Sequence, residues 1–597
     1  MRVGSRQPLI SRALRGPLIA RNRAHVALAL TLAAVELCRP ATVLGQATLQ
    51  PFPGQAEPGR NLPPPAPSLS PQFDFSIPAP QRGPIPRAVD VIEFDVTGIK
   101  VVGATVFKPD DFTPLTAPLI GQKAKLSDII DIADKIETMY RQRGFVLTRA
   151  FVPPQTVSNG VFQINVVEGF VKAAAVSGGG ELARERVEAY IEPVTQERPA
   201  TLGAMERGLL LANDLPGTTA SGLLRPSPTD PGASDLLVNL AGQPWEATIY
   251  SDNRGAAITG PVTLGYQLVA NSLRYVPGQV TFDVSGTPDL SQRSLVQGKY
   301  ARPVGDDGMI FTATGVLAHG VPAAAGGNLV SDSYAFGARL SYPVIVTRPT
   351  RVSVEGGLTV QAARVTQAGQ SAGLLAGVAS PVINDDHWRE ADVAVTVQQN
   401  GLIHESTTAA TFGVTQGLPI LGAESTKPAA MTEGASTGFT KFTLVAQHDQ
   451  PISGPVSANF HALGQYTGER LVIGEQTSFG GSGIGRGYDP ASLAADIGIG
   501  LASELRYDAH FPQYRLDTSQ FYLFFDAAKV RPLHDELAIL PGTVNRRSLL
   551  STGFGVRIAL LQRVTGGIEF AQELRGTPNN DSGKTGSRIL FNAAVRF

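Results

Sequence analysis

The chain has 597 residues, of which only 17% are charged, and a net charge of −1; ordinary soluble proteins are about 25% charged. That balance excludes a basic, polyanion-binding surface, so no nucleic-acid partner is expected. No apolar run approaches the ~20 residues a membrane helix needs, yet 43% of residues are hydrophobic and 64 are glycine; an apolar chain without such runs suits a β-barrel, where lipid-facing residues alternate with polar ones.

In chain order, arginines stud residues 1–23, an apolar stretch runs from Ala24 to Leu37, and Gly45 and Ala47 fit the small positions before a cleavage site. Residues 1–47 therefore read as a secretory signal peptide. Cys38, the only cysteine, falls inside it, which leaves no thiol to mispair in an oxidising compartment. Residues 48–90 are crowded with proline and read as an extended linker that cannot bury a core.

Residues 91–169 read as a small α/β unit. "FDVTGIKVVG" is a strand, and "LSDIIDIADKIETMYRQRG" has the helical period, with Ile129, Ile132, Ala133, Ile136 and Met139/Tyr140 on one face and Gly144 as the stop. "FVLTRAFVPPQ" and "VFQINVVEGFV" follow as strands around the turn Ser158-Asn159-Gly160. A second such unit spans 170–242, with helical stretches near 181–192 and 202–213 between "VKAAAVSGG" and "ASDLLVNLAG".

From 243 to 597 helical periodicity gives way to alternation. In "PVSANFHALGQYTG", Val456, Ala458, Phe460, Ala462 and Tyr466 oppose Ser457, Asn459, His461, Gln465 and Thr467. In "IGIGLASELRYD", Ile497, Ile499, Leu501, Leu505 and Tyr507 oppose Ala502, Glu504, Arg506 and Asp508. About sixteen such segments begin near residues 246, 260, 277, 293, 308, 331, 350, 389, 405, 437, 455, 496, 519, 549, 563 and 586. An even number returns the C-terminus to its starting side, as bacterial barrels require. The fold class is thus mainly β: an antiparallel transmembrane barrel of about 16 strands, preceded by two small α/β domains.

Between the eleventh and twelfth segments lies "GGSGIGRGYDP", residues 480–490. It is no phosphate cradle: no register gives G-x-G-x-x-G and no helix follows. Other chemistry is equally thin. "GQSAG" at 369–373 lacks the amphipathic helix that a nucleophile elbow needs, "SGKTG" at 582–586 has Pro578 where a Walker motif has glycine, and the eight histidines show no zinc spacing. No catalytic residue, metal or cofactor is expected, and the chain reads as a non-enzyme.

In this order the segments resemble the TpsB transporters of two-partner secretion, the haemolysin secretion/activation proteins. "RGFVLTRAFVPPQTVSNGVFQINVVEG" is similar to the family's first POTRA (polypeptide-transport-associated) domain, "LPGTTASGLLRPSPTDPGASDLLVNL" to its second, and "SDNRG", Ser251–Gly255, to its first barrel strand. "GRGY", Gly485, Arg486, Gly487 and Tyr488, resembles the R-G-Y/F motif that in the family tips a loop folded back into the barrel. Its partner motif, F-x-D-x-G on strand thirteen, reads "FFDAA" here, with Phe524 and Asp526 matching. Ala528 replaces the glycine, and its methyl is expected to crowd the approaching loop. Strand periodicity sends Phe521, Leu523 and Phe525 to lipid and Phe524 and Asp526 to the lumen. Glu504 on strand twelve is a second candidate partner for Arg486. Such a pair contributes about 1 kcal/mol in a wet lumen; if water is excluded, breaking it costs about 3–5 kcal/mol.

The resemblance implies an outer-membrane transporter whose POTRA domains, in the periplasm, capture a large secreted β-helical exoprotein (adhesin, haemolysin and contact-dependent toxin all remaining open) and pass it through the barrel. Further partners would be outer-membrane lipid and the barrel-assembly machinery that inserts the protein. The rival readings are a barrel-assembly insertase, which typically carries more than two N-terminal repeats, and a ligand-binding porin, which needs no client-binding domain.

Overall fold

A strand that is apolar on one side only is stable where that side leaves water, and a sheet of such strands loses its exposed edges by closing on itself. In the computed structural model, sixteen long antiparallel strands do this. The structure describes residues 74–76 and 93–597, except 228–229, 231, 274–275, 322–327, 369–381, 427–434, 512–515, 534–546, 562 and 577–584. The strands are β1 (Trp245–Asp252), β2 (Thr263–Leu273), β3 (Val276–Gly286), β4 (Arg293–Val304), β5 (Met309–Gly320), β6 (Asn328–Val346), β7 (Thr350–Ala368), β8 (Val382–Asn400), β9 (Thr407–Gly417), β10 (Thr440–Ser453), β11 (Val456–Thr467), β12 (Ile497–Ala509), β13 (Leu516–Arg531), β14 (Ser548–Leu560), β15 (Val564–Glu573) and β16 (Ser587–Arg596). β16 closes on β1, with Thr248 opposite Arg596 and Asp252 opposite Asn592. A short strand, Glu424–Thr426, adds to the wall against β8.

Ile499, Leu523, Ile568 and Ile589 point outward and are 59–69% exposed, whereas Asp526, Glu569 and Leu590, on the opposite face of the same strands, are buried. Large apolar side chains bare on one side and acids buried on the other describe a wall between lipid and a filled lumen. Strand starts lie within three residues of those read from the alternation, except β8, which begins at Val382 and not near 389. The charges in "NDDHWRE" look like a loop. In fact β6, β7 and β8 run 19 residues each, well beyond the ~9–11 that cross a bilayer, so their upper ends carry charge at no cost in hydrocarbon.

Ahead of the barrel, Gly98–Val102 pairs in parallel with Val161–Val167, which pairs antiparallel with Arg149–Phe151. The helix Leu126–Gln142 lays Ile129, Ile132, Ala133, Ile136 and Tyr140 on this sheet and ends near Gly144. The stretch read as one strand, 94–103, breaks at Val96-Thr97. Val96 turns into the core and its N–H donates to Gln122, so Glu93–Asp95 pairs with Lys123–Lys125 instead. Likewise only Arg149–Phe151 of 145–155 is strand, because Pro153 and Pro154 have no N–H to donate. Glu168 ties the loop before the helix to this core: its carboxylate accepts from Thr105 N (2.7 Å), Val106 N (3.0 Å) and the Tyr140 hydroxyl (2.6 Å). Burial pushes its pKa up, but a hydrogen bond from the Thr105 hydroxyl together with these three outweighs burial and holds it below the ordinary range.

The second unit has Phe170–Gly178 in parallel with Ala233–Gly242, Thr218–Pro226 antiparallel to it, and helices Glu181–Gln196 and Leu202–Asn213 over one face. The linker reading of 48–90 needs amending. Asp74–Ser76 is a strand, paired in parallel with Ser221–Leu223, and Phe75 packs on the second core. The signal region 1–47 and the rest of 48–90 lie outside the described residues, as does 369–373 and most of 582–586.

This second unit sits on one rim of the barrel. Val346, at the end of β6, is buried in its core. Arg351 forms a two-pronged pair with Asp214, and Arg186 reaches Asp306 at 2.8 Å. The β4–β5 and β6–β7 turns thus mark the near rim, and the β11–β12 connection leaves from the far one.

Candidate functional site

The β11–β12 connection, residues 468–496, does not stay outside. It contains a small hairpin, Thr477–Phe479 with Leu493–Ala495, whose apolar side chains bury themselves on the inner wall. Phe479, Ile484, Tyr488, Leu493 and Ala495 pack with Ala502 of β12, Ala528 and Val530 of β13 and Leu549 of β14. The expected crowding at Ala528 is therefore corrected: its methyl is part of this cluster and fills space between wall and loop.

The tip is folded by its own backbone. Gly480 N–H donates to Ile484 O at 2.8 Å and Tyr488 N–H to Gly485 O at 2.9 Å. Gly485 has φ +98°, a conformation that strains any side chain, and a Cβ there would lie 2.8 Å from Leu549. A Cβ at Gly487 would lie 2.9 Å from Ser551 and 3.1 Å from the Gln572 backbone. The two glycines flanking Arg486 thus let the chain lie flat against β14 and β15.

That contact delivers Arg486 to a set of acids. Its Nε donates to Asp526 Oδ2 at 3.0 Å and its Nη2 to Oδ1 at 2.7 Å, the two-pronged geometry expected of a guanidinium and a carboxylate. The backbone N–H groups of Gly485 and Arg486 also donate to Asp526, at 3.1 and 3.0 Å, and Ser551 Oγ at 3.3 Å. Nη1 donates to Glu504 Oε1 at 2.6 Å and to Glu569 Oε2 at 3.4 Å. The guanidinium lies 3.7 Å from the centre of the Phe524 ring. Arg486 is 4% exposed and Asp526 0%.

Three acids around one cation would repel each other, and two more arginines balance them. Arg557 donates to both oxygens of Glu504, at 2.7 and 2.9 Å, and Arg506 to one at 2.7 Å. Tyr522 OH donates to Glu569 at 2.8 Å and lies under the Arg557 guanidinium. Arg486, Arg506 and Arg557 thus set +3 against −3 from Asp526, Glu504 and Glu569, and Arg506 also reaches Asp449 at 3.0 Å. Glu569 Oε1 is buried without a hydrogen-bond partner; elsewhere in the cluster each charge is answered by an opposite one, the form in which charge is tolerated away from water.

Tyr488 is fully buried, and its hydroxyl donates toward Leu550 O (2.8 Å) and Arg575 O (2.7 Å). All seven residues singled out from the sequence therefore meet: Gly485, Arg486, Gly487 and Tyr488 on the loop, and Glu504, Phe524 and Asp526 on the wall. Sequence reasoning missed Glu569, Ser551, Arg557 and Tyr522. The signal for Glu569 was present, since it alternates with outward Ile568 and Phe570 in the same way as Asp526 with Phe525. Among the described residues no group of His, Cys, Asp and Glu could hold a metal ion. What the arrangement can do is hold a loop against the inner wall of the barrel.

Comparison with known proteins gives a consistent result. Residues 94–169 match the model of the POTRA domain, ShlB-type, and residues 232–558, more than half the chain, match that of the haemolysin secretion/activation protein ShlB/FhaC/HecB. The chain is 22% identical over 486 residues to the heme/hemopexin transporter protein HuxB of Haemophilus influenzae, covering 79% of this chain and 82% of that one. It is 24% identical over 432 residues to the outer membrane transporter CdiB of Dickeya dadantii, covering 70% and 73%. In structure it is similar to CdiB from Escherichia coli, with a TM-score of 0.65, 19% identity, and 98% and 100% of the two chains covered.

Proposed function

From the premise that this chain belongs to the haemolysin secretion/activation protein family ShlB/FhaC/HecB, we propose that the arginine-tipped loop is the lid of its export pore. The protein is an outer-membrane transporter of two-partner secretion: its POTRA domains stand in the periplasm, and its β-barrel exports a large exoprotein. The relatives are named as a heme/hemopexin transporter, an outer membrane transporter and a hemolysin transporter; the client here is proposed only as a large secreted exoprotein with an extended, β-forming secretion segment. The POTRA sheets have edges able to pair with such a segment through its backbone, which asks little of client sequence. Lipid covers the outward apolar belt, and the barrel-assembly machinery inserts the strands. The transporter needs no catalysis of its own.

The observation that carries the lid reading is the buried Arg486–Asp526 pair, deep in the lumen of a loop that began at the far rim. On this reading the loop lies in the path of the client, so export requires it to move. Removing one partner of a buried pair strands the other at a cost of about 3–5 kcal/mol. The test is Arg486→Ala in cells that make the client. The expected result is loss of client from the medium, while the barrel still reaches the outer membrane and keeps its heat-modifiable mobility. Normal secretion by this variant sinks the reading.

A further inference from the structure

Resting on that lid reading, we propose that the loop turns on a second, fixed anchor at its root, built by Trp388, Lys441 and Glu475, so that opening swings the hairpin tip and leaves the root on the wall. The root is the short helical turn Ile473–Glu475. Glu475 is 4% exposed, and its carboxylate accepts from Trp388 Nε1 at 2.8 Å and Gln361 Nε2 at 3.3 Å and pairs with the Lys441 ammonium. These side chains come from β8, β7 and β10, while the tip is held by β12 to β15. The loop is thus bound at two separated stretches of wall.

Three features make the root the stationary one. First, it is leashed. The Gln465 side-chain amide on β11 donates to both Glu475 O and Asp496 O at 3.0 Å, and Leu471 N–H donates to Asp496 Oδ1 at 2.9 Å. The two legs of the loop are therefore tied to each other and to β11. Second, it is packed: Leu471 and Val472 are buried with Ala363, Trp388 and Phe439. Gly474 lies flat on the indole, where an added Cβ would be 2.6 Å from two ring carbons. Third, Gly480, Gly481, Gly483 and Gly485 lie between root and tip, three of them at positive φ, and these are the places where a chain rotates most cheaply. A cavity of about 550 Å³ borders the hairpin, between it and Tyr250 and Asp252 of β1 and Arg293 and Leu295 of β4. That is the free side toward which a tip released from Asp526 would swing.

A disulfide and a point variant separate this proposal from the reading it rests on. Ser436 and Leu471 are bridge partners at the root. The full-length transporter carries Ser436→Cys with Leu471→Cys, and its reduced form reports any cost of the substitutions. The expected result is that the oxidised root bridge passes client as its reduced form does, while Arg486→Ala in the unbridged chain abolishes secretion. If the oxidised bridge lowers secretion by about 10-fold or more against its reduced form, the whole loop must leave and the pivot is wrong, although the lid stands. If Arg486→Ala secretes normally, both fall. A second measurement addresses Lys441 directly in purified barrels of unchanged heat-modifiability. Lys441→Met should raise ion conductance in planar bilayers by letting the root and tip wander, and Lys441→Arg should restore it. Unchanged conductance in Lys441→Met removes Lys441 from the anchor.

Discussion

Two parts of this molecule hold on to the same barrel by opposite chemistry. The second α/β unit, residues 170–242, grips the near rim with an apolar plug, Val346, inside its own core, and sets its ion pairs around the outside: Arg186–Asp306 has side chains 32% and 71% exposed. The lumenal loop puts its ion pairs at the centre, with Arg486 and Asp526 4% and 0% exposed. Exposed pairs are screened and add little. A buried, neutral hub is geometrically exacting and fails as a unit. A joint that must stay shut suits the first arrangement, and a lid with one defined closed position suits the second.

The largest effect should come from breaking the hub. Asp526→Ala leaves a buried guanidinium facing Glu504 and Glu569 and should abolish secretion as Arg486→Ala does. The double variant should be no worse than either single, since both remove one shared element. Secretion assays on the three, with outer-membrane yield as control, check this, and additive losses would show the two residues acting apart. Next is the apolar plug. Val346→Ala should weaken domain docking by about 1–3 kcal/mol. Hydrogen exchange in Glu181–Gln196 and Leu202–Asn213 should rise while exchange in the barrel stays as it was. Smallest is Arg186→Ala, expected to change docking by less than about 1 kcal/mol and to converge with wild type in high salt. A salt-independent, multi-kcal effect there would erase the contrast between the two joints.

Much of the fold was legible because the barrel repeats one local rule. Apolar-polar alternation gave the strand count, the inward side of Asp526 and Glu504, and the loop position of Arg486. It failed at β8, where Asp385, His387 and Arg389 occupy outward positions above the bilayer and look like a loop. It failed also at 74–76, where proline composition hid a strand that exists only because the Ser221–Leu223 edge is there to receive it.

What the sequence determined by itself is the class of each surface: which side chains of a strand face lipid and which face the lumen, whereas the expected acid partner of Arg486 came from the family resemblance. The two faces follow from backbone geometry and from the cost of charge in hydrocarbon, both local. Only the tertiary structure decided which acids answer the arginine. Glu569, Glu504 and Asp526 are brought to one point by the register of four neighbouring strands, and Trp388, Lys441 and Glu475 by the path of a loop across the lumen. No local pattern encodes distances between residues so far apart in the chain; barrel closure sets them.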